Sequence, residues 1–154
     1  MNALFSRLEN FTSQNNTELL GLSLAYMGEF LKKSAEQEVF RPEKIALVHY
    51  NILSSLSMQS PRTASSIAPA ILGSPANFSA ILSRMEKEGL IFRENSKKDK
   101  REVFVSWTGK GKEKFNTVQK KFQAFFETQF LEISDQEKEN AINVIKKIFH
   151  SINC

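Results

Sequence analysis

Apolar positions along this chain recur mostly at helical spacing and in one place at strand spacing. Leu4, Phe5, Leu8 and Phe11 predict a short first helix. The polar stretch from Thr12 to Asn16 reads as a break, and a longer helix follows over about 17–38. Its first part (Leu19, Leu20, Leu22, Leu24, Tyr26, Met27, Phe30, Leu31) is apolar on more than one side. A surface helix carries a single apolar stripe, so this one needs cover on two sides, from a partner chain or from a deep core. Arg41-Pro42 predicts the next helix start, because proline lacks an N–H that would be unpaired there anyway. Ile45, Val48, Ile52 and Leu56 supply its stripe, and Ser60-Pro61 ends it.

Thr63 is placed to cap a short helix containing Ile67, Ala68, Ile71 and Leu72. Pro69 should kink or shorten that helix, and Gly73 stops it. Ser74-Pro75 predicts a second start, and Phe78, Ile81, Leu82 and Met85 then form one clean apolar face. Gly89 reads as a left-handed cap. Strands are predicted over 90–93 and 102–107, the second with Val103, Val105 and Trp107 on one side. They frame a β-hairpin whose tip carries Lys97, Lys98, Lys100 and Arg101. Thr108 caps a helix striped with Phe115, Val118, Phe122, Phe125, Phe126 and Phe130. Ser134 with Glu137 forms a capping box for a last helix, whose face is Ile142, Ile145, Ile148, Phe149 and Ile152.

Composition adds three things. The 154 residues suit one domain, with no repeat and no low-complexity linker. A single cysteine, Cys154, excludes an internal disulfide framework and a cysteine-rich zinc site. Four of the thirteen phenylalanines lie in residues 1–40 and six in 115–154, so the aromatic weight sits at both ends. Two readings fit that distribution: a dimerisation layer built from both ends, or an internal core.

Charge changes the picture most. The net charge is +4, but residues 84–121 hold twelve Lys/Arg against six Asp/Glu. A concentrated positive field attracts polyanions by counterion release; a solvated lysine-rich face is the alternative. The pattern around it favours nucleic acid. A helix–turn–helix lays its second helix in the major groove. Here that helix packs its apolar face inward and turns outward Ala76, Asn77, Ser79, Ala80, Ser83, Arg84 and Lys87, which are small, polar or basic. Ser74 and the free N–H groups beside it can take a phosphate. Asn77 suits adenine, and Arg84 reaches a phosphate or a guanine. On the hairpin, Asp99 lies two residues before Arg101 and can orient its guanidinium by a paired hydrogen bond. An oriented arginine on a projecting loop can enter a minor groove; a surface ion pair is the plain alternative.

These pieces together resemble the MarR family of winged-helix regulators. The match runs through Thr63, Ile67-Ala68, Ile71, Ser74, Phe78-Ser79, the run from Met85 to Ile91, Arg93, the Asp99-Lys100-Arg101 triplet, and Trp107 to Gly111. The resemblance implies a mainly α fold with a small β-hairpin wing, a winged helix-turn-helix over 41–111. The N- and C-terminal helices, 1–40 and 112–154, would form the dimerisation layer of one domain. It implies a cytoplasmic, prokaryotic homodimer on a pseudo-palindromic double-stranded DNA operator, a repressor released by a small-molecule effector or stress signal. Ser74, Ala76, Asn77, Ser79, Ala80 and Arg84 map onto recognition-helix contacts. Lys97, Lys98, Asp99, Lys100 and Arg101 map onto the wing. Pro69, Ala80 in place of a frequent arginine, and Trp107 in place of leucine depart from the pattern.

For the effector, Tyr26, Met27, Phe30 and His49 are the candidates, chosen by position. With two histidines and one cysteine, no metal site and no cofactor are expected, and Cys154 is a poor redox sensor. No phosphate loop, zinc motif or nucleophile elbow is present, so no enzyme is expected. No apolar run approaches a membrane span, and the segment from Met1 to Asn10, with Arg7 and Glu9, does not read as a secretory signal. A winged helix used for protein contact, or a regulator without its own operator, is the rival reading.

Overall fold

A computed structural model describes residues 16–70, 77–97, 99 and 101–152. The expected first helix at Leu4 to Phe11, the Gly73 stop, the start at Ser74-Pro75, and Ala76, Lys98, Lys100 and Cys154 lie outside the described residues. The elements are α1 (Asn16–Ala35), a π-helical turn (Glu36–Phe40), α2 (Leu47–Met58), β1 (Arg62–Thr63), α3 (Ala64–Ile67), α4 (Phe78–Lys87), β2 (Ile91–Asn95), β3 (Val103–Trp107), α5 (Gly109–Gln129) and α6 (Asp135–Ile152). The strands form one antiparallel sheet in the order β1-β3-β2. The fold is therefore the expected winged helix-turn-helix, with one addition: the hairpin is extended by β1, paired Arg62 to Val105 and Thr63 to Phe104.

Local chemistry sets most boundaries. Thr63 accepts from the Ser66 N–H and starts α3. Pro69 falls in a 3-10 turn, Ala68–Ala70, that ends the α-helical hydrogen bonding. Gly89, at φ 71°, turns the chain out of α4. Thr108 accepts from the Gly111 N–H at 3.0 Å and starts α5. Ser134 and Glu137 exchange backbone bonds reciprocally before α6.

Two boundaries differ from the sequence reading. The long helix expected over 17–38 stops at Ala35 and passes into the π-helical turn. Pro42 does not open α2. Residues 41–44 form a turn in which the Lys44 N–H donates to the Arg41 carbonyl, with Lys44 at φ 53°. The Ile45 N–H bonds the Phe40 carbonyl, which buries Ile45, and the helix starts only after Ala46. Glu43 fixes this turn to α5 through Lys114 and Lys121.

The core joins Phe40, Ile52, Leu53, Leu56, Ile67, Met85, Ile91, Val105 and Val118, all essentially inaccessible to solvent. Phe40, Tyr50, Phe115 and Phe122 stack around one another with ring centroids 5.1–5.7 Å apart. The phenylalanine stripe of α5 is thus largely internal core, as the second of the two readings held. The other aromatic and aliphatic faces stay open. α1 exposes Leu20, Leu24, Tyr26, Met27 and Phe30, and no residue of α6 is buried.

Candidate nucleic-acid interface

The described part of the second helix of the motif begins at Phe78, with Asn77 flanking it at φ −107° and ψ 5°. Asn77 is the residue that precedes the α-helical hydrogen bonding of α4, and its side chain makes no capping bond. Leu82 and Met85 are buried beneath, while Asn77, Ser79, Ala80 and Arg84 are exposed. These four share one solvent face. Ser83 turns back to the Ser79 carbonyl at 2.9 Å, so its hydroxyl proton is spent within the helix.

Arg84 is not a free cation. Its Nε donates to Glu88 Oε1 at 2.9 Å, one helical turn on. Its side chain is still 73% exposed.

The wing is anchored to this helix by Glu86. Its Oε1 accepts the backbone N–H of Arg93 at 3.0 Å, and Oε2 accepts Arg93 Nε at 2.9 Å and Nη2 at 2.6 Å. The Arg93 guanidinium holds the Glu86 carboxyl below its ordinary range. In the sequence Glu86 and Arg93 stand only as members of the resembling motif, with no pairing between them. The available signal was their spacing: seven residues apart, across the Gly89 turn.

At the wing tip the paired residues work differently from the expectation. Asp99 Oδ1 accepts the backbone N–H of Arg101 at 2.8 Å. Among the described residues its carboxylate makes no ion pair with the Arg101 guanidinium. A two-residue step lets a short carboxylate reach its neighbour's N–H more easily than the end of a long side chain. The Asp99 N–H in turn donates to Ser96 Oγ, and the Ser96 N–H to the Glu102 carbonyl. Lys97, Asp99 and Arg101 are exposed. The base of the wing is closed by Thr108, whose hydroxyl donates to the Gly89 carbonyl at 2.6 Å.

The four effector candidates do not share one cavity. Tyr26 and Phe30 line a groove of about 580 Å³ with Leu47, Lys33, Glu36 and Arg41. Met27 is exposed on α1 outside that lining. His49 borders a separate groove of about 360 Å³ beside Arg84 and Glu88. Among the described residues, no three His, Cys, Asp or Glu side chains are grouped to hold a metal ion. No described helix is long and apolar enough to cross a membrane.

Residues 45–103, from the buried Ile45 to the start of β3, match the MarR family model. Over those residues the chain is similar to the MarR family. The MarR likeness extends beyond those residues. The HTH-type transcriptional regulator YkoM of Bacillus subtilis (strain 168) is 22% identical over 147 residues, covering 96% of this chain and 92% of that protein. AbsC, a MarR family transcriptional regulator from Streptomyces coelicolor, superposes with a TM-score of 0.78 at 23% identity, covering 90% of this chain and 96% of its own. A mutant MarR from Escherichia coli, complexed with operator DNA, superposes with a TM-score of 0.74 at 17% identity, covering 84% and 92%. At these identities the solved structures establish the MarR fold for the chain.

Proposed function

We propose that the protein is a homodimeric, sequence-specific reader of double-stranded DNA that represses transcription and is released by a small ligand or stress signal. The carrying observation is the rigid joint between the two elements that would meet DNA. Glu86 fixes the wing strand to α4 by three hydrogen bonds, so the exposed face of Asn77, Ser79, Ala80 and Arg84 and the tip with Lys97, Asp99 and Arg101 form one unit. A helix at base edges and a loop at the adjacent minor groove need such a fixed relation. Ser74, Ala76, Lys98 and Lys100 belong to the same proposed surface by sequence. The likeness to a fold that elsewhere holds operator DNA supports this reading.

Dimerisation is supported by the open apolar faces of α1 and α6, which a second copy would cover. We assign the effector to the groove that Tyr26 and Phe30 share, because it lies where α1 meets α2.

The experiment is selection of genomic DNA on the purified protein at about physiological salt, roughly 0.15 M, followed by sequencing. The expected product is a short inverted repeat with half-sites about one helical turn apart. Recovery of DNA without a shared sequence would refute operator reading.

A further inference from the structure

Glu88 lies between a solvent-facing cation and a buried base. It closes α4, its Oε1 holds Arg84 Nε at 2.9 Å, and its Oε2 stands 3.9 Å from His49 Nδ1. His49 is only 5% exposed. Its Nδ1 is a buried polar atom with no hydrogen-bond partner. Leaving such a nitrogen unpaired costs free energy. Protonation makes both ring nitrogens donors and the ring a cation, whichever tautomer precedes it, and a shift of about 1 Å brings the Glu88 carboxylate into hydrogen-bond range. One carboxylate thus has two possible partners, one on the proposed DNA face and one in the core.

We propose that Glu88 is a positioning residue for Arg84: it holds Arg84 on the protein while His49 is neutral and releases it toward DNA when His49 is protonated. The proposal rests on the reading that the exposed face of α4 meets DNA. Protonation acts twice in one direction. It draws the carboxylate from Arg84, and it adds a positive charge beside the helix, which favours a polyanion.

The other charged groups around the imidazole come from three elements. Glu36 of the π-helical turn and Arg41 and Lys44 of the next turn line the same groove, and Lys110 of α5 donates to the Glu88 carbonyl at 2.7 Å. Burial lowers the His49 pKa below its ordinary 6.5, Glu88 opposes that, and Arg84 adds to it. The release therefore belongs to mild acid, below 6.5.

The test is DNA affinity of the full chain on its selected site, by fluorescence anisotropy at about pH 7.5 and about pH 5, on either side of the histidine range. The wild type is expected to bind several-fold tighter in acid. Glu88→Gln should bind tightly at both values, and His49→Gln should lose the acid gain. An acid gain in His49→Gln equal to that of the wild type overturns the proposal.

A second measurement needs no DNA and no core substitution. The His49 imidazole, titrated by NMR, should show a lower pKa in Glu88→Gln than in the wild type, because Glu88 favours its charged form. An unchanged pKa overturns the coupling. If the coupling is present but Arg84→Ala binds DNA as the wild type does at both pH values, the assignment of Arg84 to DNA fails while the coupling stands.

Discussion

Glu86 and Arg93 are joined by three hydrogen bonds, two from the guanidinium and one from the Arg93 backbone N–H. The pair ties the end of one element to the start of another across the Gly89 turn. Both side chains are partly open to water, at 36% and 27%. Solvent therefore screens much of their attraction, and the net stabilisation is about 1 kcal/mol. Glu86→Ala should lower the urea midpoint by that modest amount. It should weaken operator binding by more than the stability loss accounts for, because the wing loses its fixed relation to α4. Equal operator affinity in a folded Glu86→Ala would show that the joint is only structural.

Gly111 has no room for a side chain. A Cβ built there would sit 2.0 Å from the Leu90 carbonyl oxygen, which is backbone and cannot swing aside. Gly111→Ala should destabilise the fold by about 1–3 kcal/mol or more, as overpacking does. Thermal unfolding checks this, and an unchanged Tm would mean that α5 can slide away from the wing base.

The wing tip offers two separable effects. Arg101→Ala should reduce the salt slope of DNA binding by about one phosphate's worth. Asp99→Ala keeps the guanidinium but removes the acceptor of the Arg101 N–H. It should weaken DNA binding several-fold with no change in the urea midpoint. Anisotropy over a salt series distinguishes the two, and a full-strength Asp99→Ala would remove the turn from the account.

Acid stability follows in part from three of the four groups whose folded pKa is lowered, the fourth being the exposed Glu137 of the Ser134 capping box. Glu43 is held down by Lys121 and Lys114, Glu86 by Arg93, and His49 by burial. In each case the unfolded chain binds the proton first, so stability falls as pH falls. The His49 contribution is complete above 6.5 and declines below it; those of Glu43 and Glu86 are complete above 4.5 and decline below that. Urea midpoints should therefore drop in two stages on acidification. Glu43→Gln should flatten the lower stage in part and leave the upper stage intact.

The open helix faces give a direct test of assembly. Ile145 is 50% and Phe149 65% exposed, one helical turn apart on α6. Replacing both by Asp should shift sedimentation from dimer to monomer. An unaltered dimer would place the contact elsewhere.

Sequence legibility was greatest where a single side chain decides the backbone. Thr63, Gly89, Thr108 and the Ser134–Glu137 box stand where expected, because a cap is a local bond between near neighbours. Pro42 was misread because its fixed φ suits a turn as well as a first helical turn, and only Ile45's burial against Phe40 decides between them. β1 was missed because two residues show no alternation. At the proposed interface, residue types on the face were readable, but partners were not. Arg84 with Glu88 and Asp99 with the Arg101 N–H depend on rotamers, and His49 beside Glu88 depends on how α2 packs on α4.

No residue of α6 is fully buried, and Ile142, Ile145, Phe149 and Ile152 are each half or more exposed. A helix in that condition draws little of its stability from the protomer and most of it from whatever it docks on. If that is a second copy, mass action governs how much of the helix is formed. Melting should then come in two parts. The transition of the core at Phe40, Ile52 and Val118 should be indifferent to dilution, and that of α6 should move to lower temperature with every dilution.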